Sequence, residues 1–297
     1  MSQVTLFCFW ASYVSAWGIE LARSRWDNWL TRWGGWIALA AGILAHTVYL
    51  MVRSQRVDLP PLLGSPQDYL LVFAWLVVVT LLVLARILPS ISLGSYLLPP
   101  AIAIVSVAAF ADDSAGSGTL QTAYWWVFAH SAVIVIGLVG VLLAFATSLM
   151  YLRQHRRLKL RRPAATGAKL LSLETLSRVN WWCIVLSVPL ISIGFAMGTA
   201  HVLASTEAAE SVPLTGPPIV MLFVLWIGLI GLMAWILIRP QVGGTAIAIR
   251  TAWACGFVLA TFLSLNLFGR EGGLHGQPTP APAATSLSDE TGSRRSA

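Results

Sequence analysis

Eight stretches of about twenty near-continuously apolar residues, joined by polar connections, leave this chain few folds to adopt. They run approximately Val4 to Ala22, Trp33 to Val52, Tyr69 to Leu88, Leu93 to Ala111, Tyr124 to Leu152, Trp181 to Leu203, Pro217 to Ile238 and Ala246 to Phe268. Hydrocarbon about 30 Å thick is crossed by roughly 20 residues of α-helix, which satisfies every backbone polar group within itself. The runs lack the in/out alternation of barrel strands. Only 10% of the 297 residues are charged and 57% are apolar, with mean hydropathy +0.75, far too little polar surface to coat a soluble globule. The expected fold is therefore all-α, a polytopic transmembrane bundle of about eight helices.

The first run begins almost at Met1, without a basic n-region or an A-x-A-like site, and reads as a retained span rather than a cleaved signal peptide. Residues 1–270 form one transmembrane domain. Residues 271–297 form a C-terminal tail whose composition turns to Gly, Pro, Ser and Thr from about Gln277 and closes on Arg294-Arg295, so it is expected to be mostly disordered.

Basic residues set the orientation. Between the fifth and sixth runs lie Arg153, Arg156, Arg157, Lys159, Arg161, Arg162, Lys169 and Arg178 against the single acid Glu174, which places that connection in the cytoplasm. Counting outward, Arg23, Arg25 and Arg32, Arg86, and the segment from Arg239 to Arg250 are also cytoplasmic. Asp112, Asp113, Glu207 and Glu210 fall outside, and so do both termini and the tail. One external connection is mixed, with Arg53, Arg56, Asp58 and Asp68. The net charge of +7 then reports topology and contact with anionic lipids at the basic loop, and nucleic acid is not an expected partner.

With that topology, four of the five histidines cluster at or near the outer face. His46 lies in the outer half of the second run, His130 near the outer start of the fifth, His201 at the outer end of the sixth and His275 beyond the eighth. His155 alone is inside, a solvated loop residue among arginines. An imidazole in or beside a bilayer is costly without a partner. Two neutral imidazoles facing one another can supply both axial positions of a haem iron, and the macrocycle is apolar enough to sit among helices. Ligation needs neutral rings, so binding should weaken as pH falls below the histidine range near 6.5.

Tryptophan is the second signal, with fourteen in the chain. Trp26, Trp29, Trp33 and Trp36 recur at three- and four-residue spacing beside Arg23, Arg25 and Arg32, the pattern of an interfacial aromatic belt. Trp125 and Trp126 stand at the opposite face, one turn before His130, where an indole could stack on a porphyrin.

Three passages resemble one family. Trp126-Val-Phe-Ala-His130, followed by a long helix through Ala144 and Ser148 to Tyr151-Leu152 and a basic loop, resembles the W-x-x-x-H helix of the cytochrome c assembly proteins, the CcsA and HemX-like group. Leu173-Glu174-Thr-Leu-Ser-Arg178-Val-Asn180, with Pro189-Leu190 and Gly194 to Gly198, is similar to that family's "LE-x-L … PLL-x-x-G" passage. Leu265-Asn266-Leu267-Phe268 followed by Gly273-Leu274-His275-Gly276 resembles its "VN … GLHSYG" exit from the last helix. The resemblance spans about Ala38 to Gly276. It implies haem handling at the outer face during cytochrome c maturation, with His130 and His275 as haem iron ligands, His46 in a second site within the bundle, and other cytochrome c maturation membrane proteins as partners.

The chain departs from that pattern in two places. Where the haem-presenting members carry W-x-W-D-P-K, it reads Thr206-Glu-Ala-Ala-Glu-Ser-Val-Pro-Leu-Thr-Gly-Pro217, without tryptophan. The seventh run shows Ala234 or Trp235 where a second intramembrane histidine is expected, and His201 is an added candidate. The likeness is thus to the HemX-like branch.

No enzymatic constellation is visible: neither H-E-x-x-H, nor a P-loop, nor G-x-G-x-x-G, nor a nucleophile with its base. Cys8, Cys183 and Cys255 lie in three different runs without a C-x-x-C, and read as buried apolar residues. Glu20 is expected to snorkel to the interface. Two readings follow. In the first the protein holds or relays haem through His130 and His275, with His46 deeper, and His201 and Trp126 in support. In the second it is a cofactor-free assembly factor or regulator with the same fold, acting through its basic loop. A transporter would predict internal pseudo-symmetry, and the sequence shows Leu98-Pro99-Pro100 and Pro189 within runs but no repeat.

Overall fold

The computed structural model describes residues 6–23, 26, 28–57, 62, 65–87, 93–111, 124–160, 172–204, 217–238 and 244–268, and among these the chain is all-α. Eight helices follow in order: α1 Leu6–Arg23, α2 Trp29–Val57, α3 Pro66–Ile87, α4 Gly94–Ala108, α5 Tyr124–Lys159, α6 Leu173–Ala204, α7 Pro217–Ile238 and α8 Gly244–Phe268. Five contain stretches long and apolar enough to cross a membrane: Trp29–Arg56, Pro66–Ile87, Tyr124–Lys159, Leu173–Ala204 and Gly244–Ser264. Gly94–Ala108 and Val220–Ile236 are shorter apolar helices. The protein is a multi-pass membrane protein.

The helices pack as two rings of four. In the first, α1 meets α2, α2 meets α3, α3 meets α4 and α4 returns to α1; in the second, α5 meets α6, α6 meets α7, α7 meets α8 and α8 returns to α5. Up-and-down connection by short segments makes sequential helices neighbours, so the arrangement recurs although the sequence shows no repeat. The rings join where α5 packs on α3 and α4, and where α8 touches α4. The first ring's core includes Phe9, Tyr13, Leu70, Leu71, Phe73, Leu97 and Val105, all fully buried.

Among the described helices the pairing of α5 with α6 is the most extensive, and small residues make it close. A Cβ at Gly137 would come within 2.7 Å of Ile191 Cγ1, and one at Gly140 would collide with Ser187 Oγ. Hydrophobic burial does little between helices in lipid, so association depends on such close backbone approach and on interhelical hydrogen bonds. Ser148 Oγ supplies one of these, donating to Asn180 Oδ1 at 3.2 Å between two buried side chains.

Several helices exceed their apolar runs. α5 has 36 residues and α6 has 32, about 54 and 48 Å of helix, beyond the roughly 30 Å of hydrocarbon. His155 is therefore on α5 rather than in a loop, and it stacks on Tyr151 with ring centroids 6.2 Å apart. α2 begins at Trp29, so Trp29, Trp33 and Trp36 occupy its first turns; with Trp26 they are all exposed, as a belt requires. Cys8 corrects the expectation of burial: it is exposed on α1, whereas Cys183 is half-buried and Cys255 buried. Glu20 is held by Arg23 at 3.2 Å.

The mixed connection between α2 and α3 also has a structural explanation. Arg53 Nε donates to Asp68 Oδ1, and Arg53 Nη2 donates to Ser65 Oγ at 3.3 Å. Ser65 Oγ in turn donates to Asp68 Oδ2 at 3.0 Å and accepts from the Asp68 backbone N–H at 3.2 Å. Ser65, Pro66 and Asp68 thus form a capped helix start with proline in its first turn. Asp112, Asp113, Glu207, Glu210, the 206–216 segment, His275 and the tail lie outside the described residues.

Candidate functional site

The described histidines keep the one-sided pattern. His130 and His201 lie towards the start of α5 and the end of α6, the end of the bundle opposite Arg153 to Lys159. His46 is next to Thr47, which shares a cleft with Phe128 of α5, and so it lies towards the same end. His155 is at the basic end.

His130 is seated on α6. Its Nδ1 lies 2.7 Å from the Gly194 carbonyl oxygen. A carbonyl can only accept, so Nδ1 carries the proton and the lone pair of the neutral ring is on Nε2. The ring lies against Gly198, where an added Cβ would come within 2.6 Å of His130 Cε1. Gly194 and Gly198 are one turn apart on the same face of α6, and together they form the cradle. One turn earlier on α5, Trp126 Nε1 donates to the Met197 carbonyl at 2.9 Å. Trp126 and His130 are four residues apart and thus share a face of α5. Trp126 is 44% exposed, with its polar edge tied to α6.

His201 continues the Gly194 and Gly198 face of α6 by one more turn. His130, His201 and Trp126 therefore lie at one end of the α5–α6 seam. Such a set can hold an iron-bound group. A ligating imidazole commonly donates its other N–H to a backbone carbonyl, which fixes ring orientation and tautomer. His130 already has that arrangement.

His46 does not join this set. It is fully buried in the first ring, stacked on Phe9 with ring centroids 4.1 Å apart and planes 7° from parallel, and its Nδ1 is 3.1 Å from the Tyr13 hydroxyl. Its Nε2 has no hydrogen-bond partner. That nitrogen is itself buried, with Phe9 against one ring face and Tyr13 on the Nδ1 edge. His275 lies outside the described residues, and its expected pairing with His130 with it.

Two shallow, open clefts lie among the described residues. One, about 500 Å³, lies between the rings and includes Thr47, Met51, Trp75 and Phe128. The other, about 470 Å³, lies near the basic end and includes Tyr151, Glu174, Arg178 and Trp181. Neither is lined by a histidine. Compared with protein-family models, curated proteins and solved structures, the chain matches none.

The seat of His130 was the part that sequence reasoning missed. The signal was present in Gly194-Phe-Ala-Met-Gly198, a small-xxx-small pattern that marks close helix approach.

Proposed function

We propose that this multi-pass membrane protein is a haem-handling protein of cytochrome c biogenesis, which holds or relays haem at the external face of the cytoplasmic membrane. One observation carries the reading: the His130 imidazole is oriented by Gly194 and cradled at Gly198, in the tautomer that presents Nε2 as a ligand. The resemblance of Trp126 to His130, Leu173 to Asn180 and Leu265 to Gly276 to the CcsA and HemX-like group supports it. His201 is the second ligand favoured by position, with His275 the one favoured by resemblance. Bound haem would supply its iron and macrocycle, and this chain's part is to bind it, orient it and keep the imidazoles neutral.

The proposed topology has eight spans with both termini outside. The Arg53–Asp68 pair supports it, because an arginine closed on a carboxylate no longer weighs as a free cation against an external assignment.

The second reading is the cofactor-free assembly factor. It is favoured by the absence of tryptophan from 206–216 and by the closed seat of His46. Titrating haemin into the detergent-purified protein separates the two. Saturable, equimolar uptake with a low-spin spectrum supports haem handling; uptake that never saturates supports the cofactor-free reading.

A further inference from the structure

The cleft at the basic end lies across the bundle from His130 and opens among all four helices of the second ring. Tyr151 of α5, Arg178 and Trp181 of α6, Ile236 of α7, and Gly244 and Ile247 of α8 line it, around a volume of about 470 Å³. The first backbone N–H groups of α8 have no acceptor within the helix and carry its positive end. A Cβ at Gly244 would collide with Tyr151 Oη, so the glycine keeps that hydroxyl against the start of α8. Arg178 gives one N–H to Glu174 at 3.1 Å, in a pair whose side chains are 70% and 80% exposed. A guanidinium has five donors, so the pair engages only part of Arg178, and exposed pairs of this kind are weak.

A second observation lies beneath the floor. At 100° per residue Thr251 falls between Gly244 and Ile247 on α8, one turn deeper than Ile247. It is fully buried, and its Oγ1 has no hydrogen-bond partner among the described residues. Thr147 and Thr199, also within helices, turn the same hydroxyl onto the carbonyl four residues back. Thr251 does not, which leaves a donor for an acceptor that enters from the cleft.

Charge sets the sign of the occupant. Glu174 is the single acid between Tyr124 and Ala204, and there is none between Pro217 and Phe268. The connections that flank the cleft, 161–171 and 239–243, lie outside the described residues; their sequences add Arg161, Arg162, Lys169 and Arg239 and no acid. Arg250 stacks on Trp235 of α7, 3.9 Å from its ring centroid, beside Ile236. The other acids at this end, Glu20 and Asp27, belong to α1 and its connection to α2; Glu20 is held by Arg23, and Asp27 lies outside the described residues.

We propose that this cleft binds the headgroup of an anionic phospholipid, with its phosphate between Arg178 and the start of α8 and a glycerol ester carbonyl accepting from Thr251. Basic pockets between membrane-spanning helices suit such headgroups. The binding does not depend on the haem reading, and it gives the lipid contact expected of the basic loop a definite place in the second ring.

Native mass spectrometry of the full chain in detergent tests it. The protein is titrated with phosphatidylglycerol and with phosphatidylcholine of the same acyl chains, and inorganic phosphate is added as competitor. One phosphatidylglycerol should bind saturably, about tenfold more tightly than phosphatidylcholine, and equimolar inorganic phosphate should not displace it. Arg178→Gln should weaken binding about tenfold, whereas Glu174→Gln should strengthen it. Both positions are exposed, so both variants should fold. Thr251→Val, which nearly keeps the shape and removes the hydroxyl, should weaken binding too. Lys159→Gln, at the end of α5 and outside the cleft, should leave it unchanged. Equal affinity for the two lipids, or equal losses in Arg178→Gln and Lys159→Gln, would show diffuse attraction to the basic end and overturn the proposal. Displacement by equimolar inorganic phosphate would overturn it too, as would wild-type affinity in either Arg178→Gln or Thr251→Val.

Discussion

The Nδ1 of His130 donates to the Gly194 carbonyl at 2.7 Å, across the seam of α5 and α6. That bond chooses the tautomer, and the missing side chain at Gly198 makes room for the ring. Histidine position, ring orientation and helix packing are therefore one feature of the structure.

Gly198→Ala should displace the imidazole, since the new Cβ would be 2.6 Å from Cε1. Overpacking of this kind costs about 1–3 kcal/mol. We expect a lower thermal midpoint in detergent and a weakened haem spectrum. A variant that keeps both unchanged would mean that His130 is not held by α6.

Added bulk should be felt in the α5–α6 seam and not at an open position of α7. Gly137→Leu meets Ile191 and should destabilise, whereas at Gly231 an added Cβ meets nothing within 4 Å. Gly231→Ala should be neutral or stabilise by up to about 1 kcal/mol through helix propensity. Thermal melts of the two variants side by side check the contrast.

How much of this was legible in the residues differs from part to part. The apolar runs locate all eight helices, because lipid allows no other backbone solution. Their ends are less visible: α5 continues to Lys159 because Arg, Gln, Leu and Lys are good helix formers once outside the hydrocarbon. The two rings were not legible, since helices apolar on every side carry no stripe that names a neighbour. At the site, the shared end of His46, His130 and His201 could be read from topology. The inward turn of His46 could not, because it depends on Phe9 and Tyr13 of α1, residues that carry no signal of their own.

Asp68 has a side chain only 2% exposed and paired with Arg53. Asp68→Leu alone should leave a half-buried cation without its carboxylate, at a cost of about 3–5 kcal/mol. Joint replacement, Arg53→Met with Asp68→Leu, should recover most of the loss. Chemical or thermal denaturation of the single and double variants gives the comparison, and a double variant as unstable as the single one would contradict the pairing argument.

His46 should act on stability rather than on haem. His46→Ala removes the Phe9 stack and the Tyr13 contact from a fully buried place, and large-to-small changes in packed interiors cost about 2–5 kcal/mol. We expect a lower melting midpoint with the haem spectrum retained in the folded fraction. Loss of the spectrum at unchanged stability would relocate the site to the first ring.

The central claim is that His130 ligates haem iron. Its most direct test is the visible absorption spectrum of the detergent-purified protein with pyridine haemochrome quantitation, wild type beside His130→Ala, His201→Ala, His275→Ala and His155→Ala. The account predicts a Soret band in the wild type, unchanged in His155→Ala, lost in His130→Ala, and shifted or lost in whichever of His201→Ala and His275→Ala removes the second ligand. A wild type that stays colourless after haem is supplied, or a His130→Ala variant with the full wild-type spectrum, would contradict it.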